Sequence, residues 1–128
     1  MPGFSTYAQE KLLDHLRGKT AFPMPTVWVA LYTVSPTDNG GGTEANYTGY
    51  ARTPTTGADW APASGTAAPN ANPIGFPQCT AGSNDIVAFG LLDAPTAGNL
   101  LGYAPCSLPI RPGITPSFGP GKLNVTLD

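Results

Sequence analysis

DIVAFGLLDAPTAGNLLGYA, the run from Asp85 to Ala104, contains two apolar arms, Ile86–Leu92 and Leu100–Ala104, around a short polar middle. Pro95 fixes φ and lacks an amide donor, while Gly98 and Asn99 tolerate positive φ, so the middle turns and the run reads as a β-hairpin. Both arms are apolar at nearly every position. Alternation is therefore weak, which predicts strands covered on both faces, as in a sandwich or at a subunit contact.

Composition carries the same reading outward. The chain has 128 residues, of which 16 are Gly and 15 Pro, yet 41% are hydrophobic and cluster in short runs. Short apolar runs punctuated by Gly and Pro are the pattern of an antiparallel sandwich or barrel. The expected fold is mainly β: one domain over 1–128, an antiparallel, jelly-roll-like β-sandwich with one short N-terminal α-helix. Charged residues make up 11% and the net charge is −2, which supplies no basic field for nucleic acid or anionic lipid. A surface so poor in charge is expected to be covered by partners. Met1–Leu16 lacks the basic start and apolar core of a signal peptide. No run approaches a membrane span, so the chain is expected to be soluble and made in the cytoplasm. Cys79 and Cys106 are too few for a disulfide scaffold and read as free, semi-buried small hydrophobes.

Along the chain, residues 1–19 hold the one convincing helix. Ala8, Leu12 and Leu16 repeat every four residues and Leu13 widens the stripe. Thr6 with Gln9 forms a candidate capping box, Ser5 is the competing cap, and Gly18 is the left-handed stop. The Leu face docks either on an open end of its own sheet or on a neighbouring subunit. Val27–Val34 is the clearest strand, with Val29 and Leu31 on one side and Ala30 and Tyr32 on the other. Ser35–Asn46 reads as a flexible loop, and Tyr47–Thr56 as a strand whose Pro54 keeps to an edge and whose Arg52, one of six basic residues, is expected to meet a carboxylate or a partner chain. Gly57–Asn72 reads as irregular, anchored by Trp60, and Pro73–Cys79 as a short strand. The prolines of Pro105–Pro116 predict an edge or an extended arm. Lys122–Asp128 alternates, with Leu123, Val125 and Leu127 inward.

Chemistry is sparse. His15, the one histidine, lies beside Asp14 on the helix and reads as solvated. Neither cysteine has a local partner for a thiol–imidazole pair, and two cysteines with one distant histidine fall short of a zinc site. Asp38 and Glu44 share a loop with Asn39 and Asn46 but match no calcium loop, so turn chemistry accounts for them better. Tyr32, Tyr47, Tyr50, Tyr103, Trp28 and Trp60 would suit a sugar-stacking platform; core and interface filling is the stronger reading. No cofactor, no metal and no catalytic activity are expected.

An ordered set of segments carries a resemblance. Tyr7 with Leu12-Leu13-Asp14-His15 is followed by a strand ending Leu31-Tyr32-Thr33, then by SPTDNGGGTE at 35–44 and GYAR at 49–52. The hairpin FGLLDAPTAGNLLGY and the closing LNVTLD complete it. Together these resemble a family of small tailed-phage virion proteins, often labelled tail-fibre-like. Trp60–Asn72 and Pro105–Gly121 lie outside the resemblance. What it implies is a structural protein of the virion. A cement (decoration) protein clamping capsomers on the outer capsid surface is the leading form, because the chain lacks a repetitive shaft or coiled coil. A tail or tail-fibre component, receptor-binding or connecting, is the alternative, and a carbohydrate-binding sandwich the third. The implied partners are the major capsid protein and copies of the chain itself, as dimer or trimer, with no nucleic acid and no membrane. Residues expected at the contacts are Leu12, Leu16 and Phe22 near the helix, Arg52, and Pro105, Ile110 and Arg111 in the proline-rich 105–116 arm.

Overall fold

The hairpin forms the centre of a six-stranded antiparallel sheet in a computed structural model that describes residues 3–65 and 67–126. In chain order the elements are β1 (Gly3–Phe4), α1 (Thr6–Leu16), β2 (Trp28–Val34), β3 (Thr43–Glu44) and β4 (Thr53–Pro54). A 3-10 turn at Gly57–Asp59 precedes β5 (Ala67–Pro69), β6 (Ile74–Gly75), β7 (Asn84–Leu92), β8 (Leu100–Ile110), β9 (Ser117–Phe118) and β10 (Asn124–Thr126). The main sheet runs β1-β8-β7-β2-β3, with β4 also on β2, while β10-β5 and β6-β9 are two-stranded ribbons.

Both faces of the hairpin and of β2 are covered, as their unbroken apolar runs predict. On one face Val29, Leu31, Ile86, Phe89 and Ile110 pack with Ile74, Phe76, Phe118 and Leu123 from the ribbon side. That is a two-layer β body in which ribbons and loops make the second layer. These ladders do not draw the two four-stranded sheets of a jelly roll. On the other face Ala30, Tyr32, Ala88, Leu92, Leu100 and Tyr103 form a smaller cluster. Gly90 lies here because the Tyr32 ring crosses it: a Cβ would sit 2.8 Å from Tyr32 Cε2. Register shifts between Ile86 and Ala88 and between Leu91 and Leu92 mark bulges, the first leaving Val87 exposed.

Helix α1 is capped by Ser5 and not by Thr6. Ser5 Oγ accepts from the Ala8 amide at 3.1 Å and donates to the Leu100 carbonyl, so the cap also pins the helix to the sheet. Gly18, at φ 72°, follows the last turn as expected. The helix packs beside β8 and closes an end of its own sheet, although Leu13 and Leu16 stay outside.

Three segments differ from their sequence reading. Of Tyr47–Thr56 only Thr53–Pro54 is a strand. Gly49, at φ 103° and tight against the Gln78 carbonyl, breaks the extension, and Asn84 Oδ1 accepts both the Asn46 and Tyr47 amides. Pro105–Pro116 is no projecting arm: its first half is β8, and Arg111 to Ile114 make a turn closed at 3.0 Å. Pro116 is buried, its carbonyl holding the Phe76 amide at 2.8 Å. The edge expectation is met for Pro105 and Pro109, which pair with Ala88 and Asp85 of β7 where, among the described residues, no second strand pairs with β8. Gly57–Asn72 is better ordered than its composition suggests. Asn70, buried, donates from Nδ2 to the Asn72 and Gly119 carbonyls and accepts from the Leu123 amide. Leu123 is fully buried; the Val125 side chain and Leu127 lie outside the described residues.

Candidate functional site

Three separate pieces of chain converge at one end of the main sheet: the start of α1, the loop around Asp38, and the hairpin loop at 93–99. The Asp38 loop does not hang free. Its backbone carbonyl accepts from the Thr6 amide at 2.8 Å, and Asp38 Oδ1 accepts from Tyr103 Oη at 2.8 Å. The hairpin loop is tied within itself by Asp93, which accepts from the Asn99 amide at 2.7 Å and from Asn99 Nδ2 at 3.0 Å. Between these pieces lies an open cleft of about 510 Å³, lined by Tyr7, Glu10, Tyr32, Asp38, Asn39 and Asn99 among others. Burial, followed by the nearby Glu44 carboxylate, holds the Tyr32 phenol above its ordinary pKa, so it stays protonated.

Behind the hairpin loop sits the strongest polar constellation. Arg52 meets Glu44 through two bonds, Nε–Oε2 at 2.9 Å and Nη2–Oε1 at 3.0 Å, the bidentate geometry that suits a guanidinium. Its Nη1 donates to the Ala94 and Ala97 carbonyls, each at 2.8 Å. Tyr50 Oη donates to Glu44 Oε2 and accepts from the Leu31 amide at 3.2 Å. Burial pushes the Glu44 carboxyl up, but the bonds from Arg52 and Tyr50 with the Arg52 charge outweigh it, leaving the pKa below the usual value. The same surroundings push the Tyr50 phenol far up, burial first and the bond to Glu44 next.

Arg52 is therefore held within its own chain, with its side chain 7% exposed; the sequence reading had it meet a carboxylate or a partner. Ile110 is fully buried and faces the domain's own core, where a partner cannot touch it. Pro105, Arg111 and Leu16 are exposed, Arg111 in an ion pair with Asp85 at 2.9 Å. Leu12 and Phe22 are half-buried beside Phe4, Ala8, Leu91 and Leu101, around an apolar groove of about 250 Å³.

The remaining candidates are scattered. His15 is exposed, and its Nδ1 accepts from the Phe22 amide at 3.1 Å. Cys79 and Cys106 are free thiols, the latter pushed up to about 11 by burial. Among the described residues no three His, Cys, Asp or Glu side chains gather as a metal group, and no helix is long and apolar enough to cross a membrane. The aromatic residues do not form one platform. Tyr47 and Tyr50 meet edge to face at 5.5 Å, and Trp60 packs on the core with Nε1 bonded to Thr55 Oγ1 at 3.0 Å.

The class defined by these features is a small two-layer β domain, mainly antiparallel, with loops locked onto its central sheet by side-chain bonds. Residues 3–126 match the family model described as podophage GP4 fiber I protein gp80, and the chain belongs to that family. It is a phage virion structural protein. No curated protein matches the chain.

Proposed function

We propose that the chain is a structural piece of a podophage fibre, working through protein–protein contacts and making or breaking no covalent bond. The observation that carries this reading is the family match over nearly the whole described chain, to a family described by its fibre protein. The architecture supports it. Loops are tied down by Arg52, Asp38 and Asn70, so the body meets its neighbours as a preformed shape and loses little entropy on docking. Copies of itself, as a dimer or trimer, are the partners this reading names, since closed symmetry is the usual state of such assemblies. Exposed Leu16, Pro105 and Arg111 are the contact candidates that remain on the surface.

The capsid-cement reading is the second form, favoured by a compact body without a shaft, with the major capsid protein as partner on the outer shell. Gold-labelled antibody on intact particles separates the two. Label confined to the tail, with few copies per particle on a stained gel, is expected; label spread over the shell in hundreds of copies would establish cement instead. For the contacts, Leu16→Ser should leave the unfolding midpoint of the isolated chain unchanged, because the side chain is 78% exposed. Its incorporation into particles should fall, and equal incorporation removes Leu16 from the interface.

A further inference from the structure

We infer that the cleft over Tyr32 is a binding site for a neutral saccharide. The starting point is Tyr32 itself. Its side chain belongs to the buried cluster on this face and the residue is only 5% exposed. Its ring is locked across Gly90, yet among the described residues no hydrogen bond reaches its hydroxyl. No fully enclosed side-chain polar atom is left unpaired among them, so this hydroxyl must open on the cleft that Tyr32 lines. A phenol with a buried ring and an open hydroxyl offers that one polar atom to whatever fills the cleft. This one is aimed into a cavity.

What surrounds it selects the ligand. Asp38 uses Oδ1 on Tyr103, and among the described residues its other carboxylate oxygen has no hydrogen-bond donor, while Glu10 and Asn39 are exposed on the same rim. At the start of α1 the Thr6 amide is taken by Asp38 and that of Ala8 by Ser5, so Tyr7 is the first-turn amide left over. Donors and acceptors thus stand side by side. A group that both donates and accepts satisfies them together, and that group is a hydroxyl. None of the lining residues is basic, so phosphate and carboxylate ligands meet two acids and no compensating charge. A cation fits poorly as well, since no three acidic, His or Cys groups gather among the described residues. The volume of about 510 Å³ lies in the range of small-molecule sites and suits a mono- or disaccharide.

This inference goes beyond the fibre reading and does not depend on where the chain sits in the particle. Absent sugar binding would leave assembly untouched, and a cement location would leave the cleft as it is. The test is titration of the isotope-labelled full chain by NMR with glucose, galactose, N-acetylglucosamine, mannose and lactose, each carried well past the ~1 mM scale expected of small ligands. Saturable shifts at Tyr7, Asn39 to Gly41 and Asn99 with at least one sugar are expected. Tyr32→Phe removes only the unpartnered hydroxyl and should weaken that sugar about three- to tenfold with no change in thermal midpoint. Asn39→Ala, at an exposed position, provides a second reading without risk to folding. The inference is overturned by no shift with any sugar, by shifts centred elsewhere, or by Tyr32→Phe binding as wild type. Calcium chloride, and not sugar, moving Asp38 and Glu10 would overturn it too.

Discussion

Arg52 concentrates more of the loop architecture in one side chain than any other cation described here. Four of its N–H donors reach Glu44 and the two loop carbonyls, and a lysine cannot reproduce that fork. Arg52→Ala should cost about 2 kcal/mol in urea denaturation, below the fully buried case because Glu44 is partly solvated. Arg52→Lys should recover little of it. The same pair gives a pH signature. The folded pKa of Glu44 lies below the ~4.3 of an unfolded glutamate, so its contribution is complete above that value and is lost as pH falls through the folded one. Glu44→Gln should therefore flatten the stability profile below about pH 4 while lowering it at neutral pH. An acid limb unchanged by that substitution would show that other carboxylates set it. In the sequence Arg52 was visible as a cation in need of a carboxylate, but which carboxylate was not. Glu44 is brought opposite by the pairing of β3 with β2, a register that no local pattern encodes.

At the scale of elements, legibility followed length. β2, β7 and the first half of β8 were readable because unbroken runs of five or more apolar and β-branched residues leave few alternatives, while the second half of β8, with Pro105 and Pro109, read only as an edge or an arm. Of the ribbon strands, β6 and β10 fall inside the strand read at Pro73–Cys79 and the alternation read at Lys122–Asp128, whereas β5 and β9, two or three residues long, are too short for any period to show. They are held by distant side chains such as Asn70. The expected strand at Tyr47–Thr56 failed for a related reason: the side chain of Asn84, far along the chain, satisfies the amides that a ladder would have used. The cleft over Tyr32 was invisible as a site because its walls come from three stretches, although Asp38 and Tyr32 were each noticed separately. The helix offers a sharp test at this scale. Ser5→Ala removes both the cap for Ala8 and the donor to Leu100, and should destabilise the chain by about 1–2 kcal/mol, measured by denaturation. Thr6→Ala, at the alternative cap position, should cost less.

For the whole molecule, cohesion comes from shape and burial, since charge is nearly absent. The ion pairs Arg17–Asp14 and Arg111–Asp85 are solvent-exposed and are worth about 0–1 kcal/mol each. Phe89, Leu31 and Ile110, all fully buried, hold the two layers together. This leaves a hazard that the usual remedy does not meet. Unsheathed strand margins in most proteins are kept from templating onto one another by lysines, and a chain with 6 Lys and Arg has few to place. Along the outer margin of β8 the two prolines take over that duty, because an amide that does not exist cannot be recruited by a passing strand, at any ionic strength. Thr in place of both Pro105 and Pro109 should leave the monomer folded but produce thioflavin-positive polymer that added salt does not prevent. Soluble, dye-negative protein after the double exchange would show that some other device keeps these crowded neutral bodies apart.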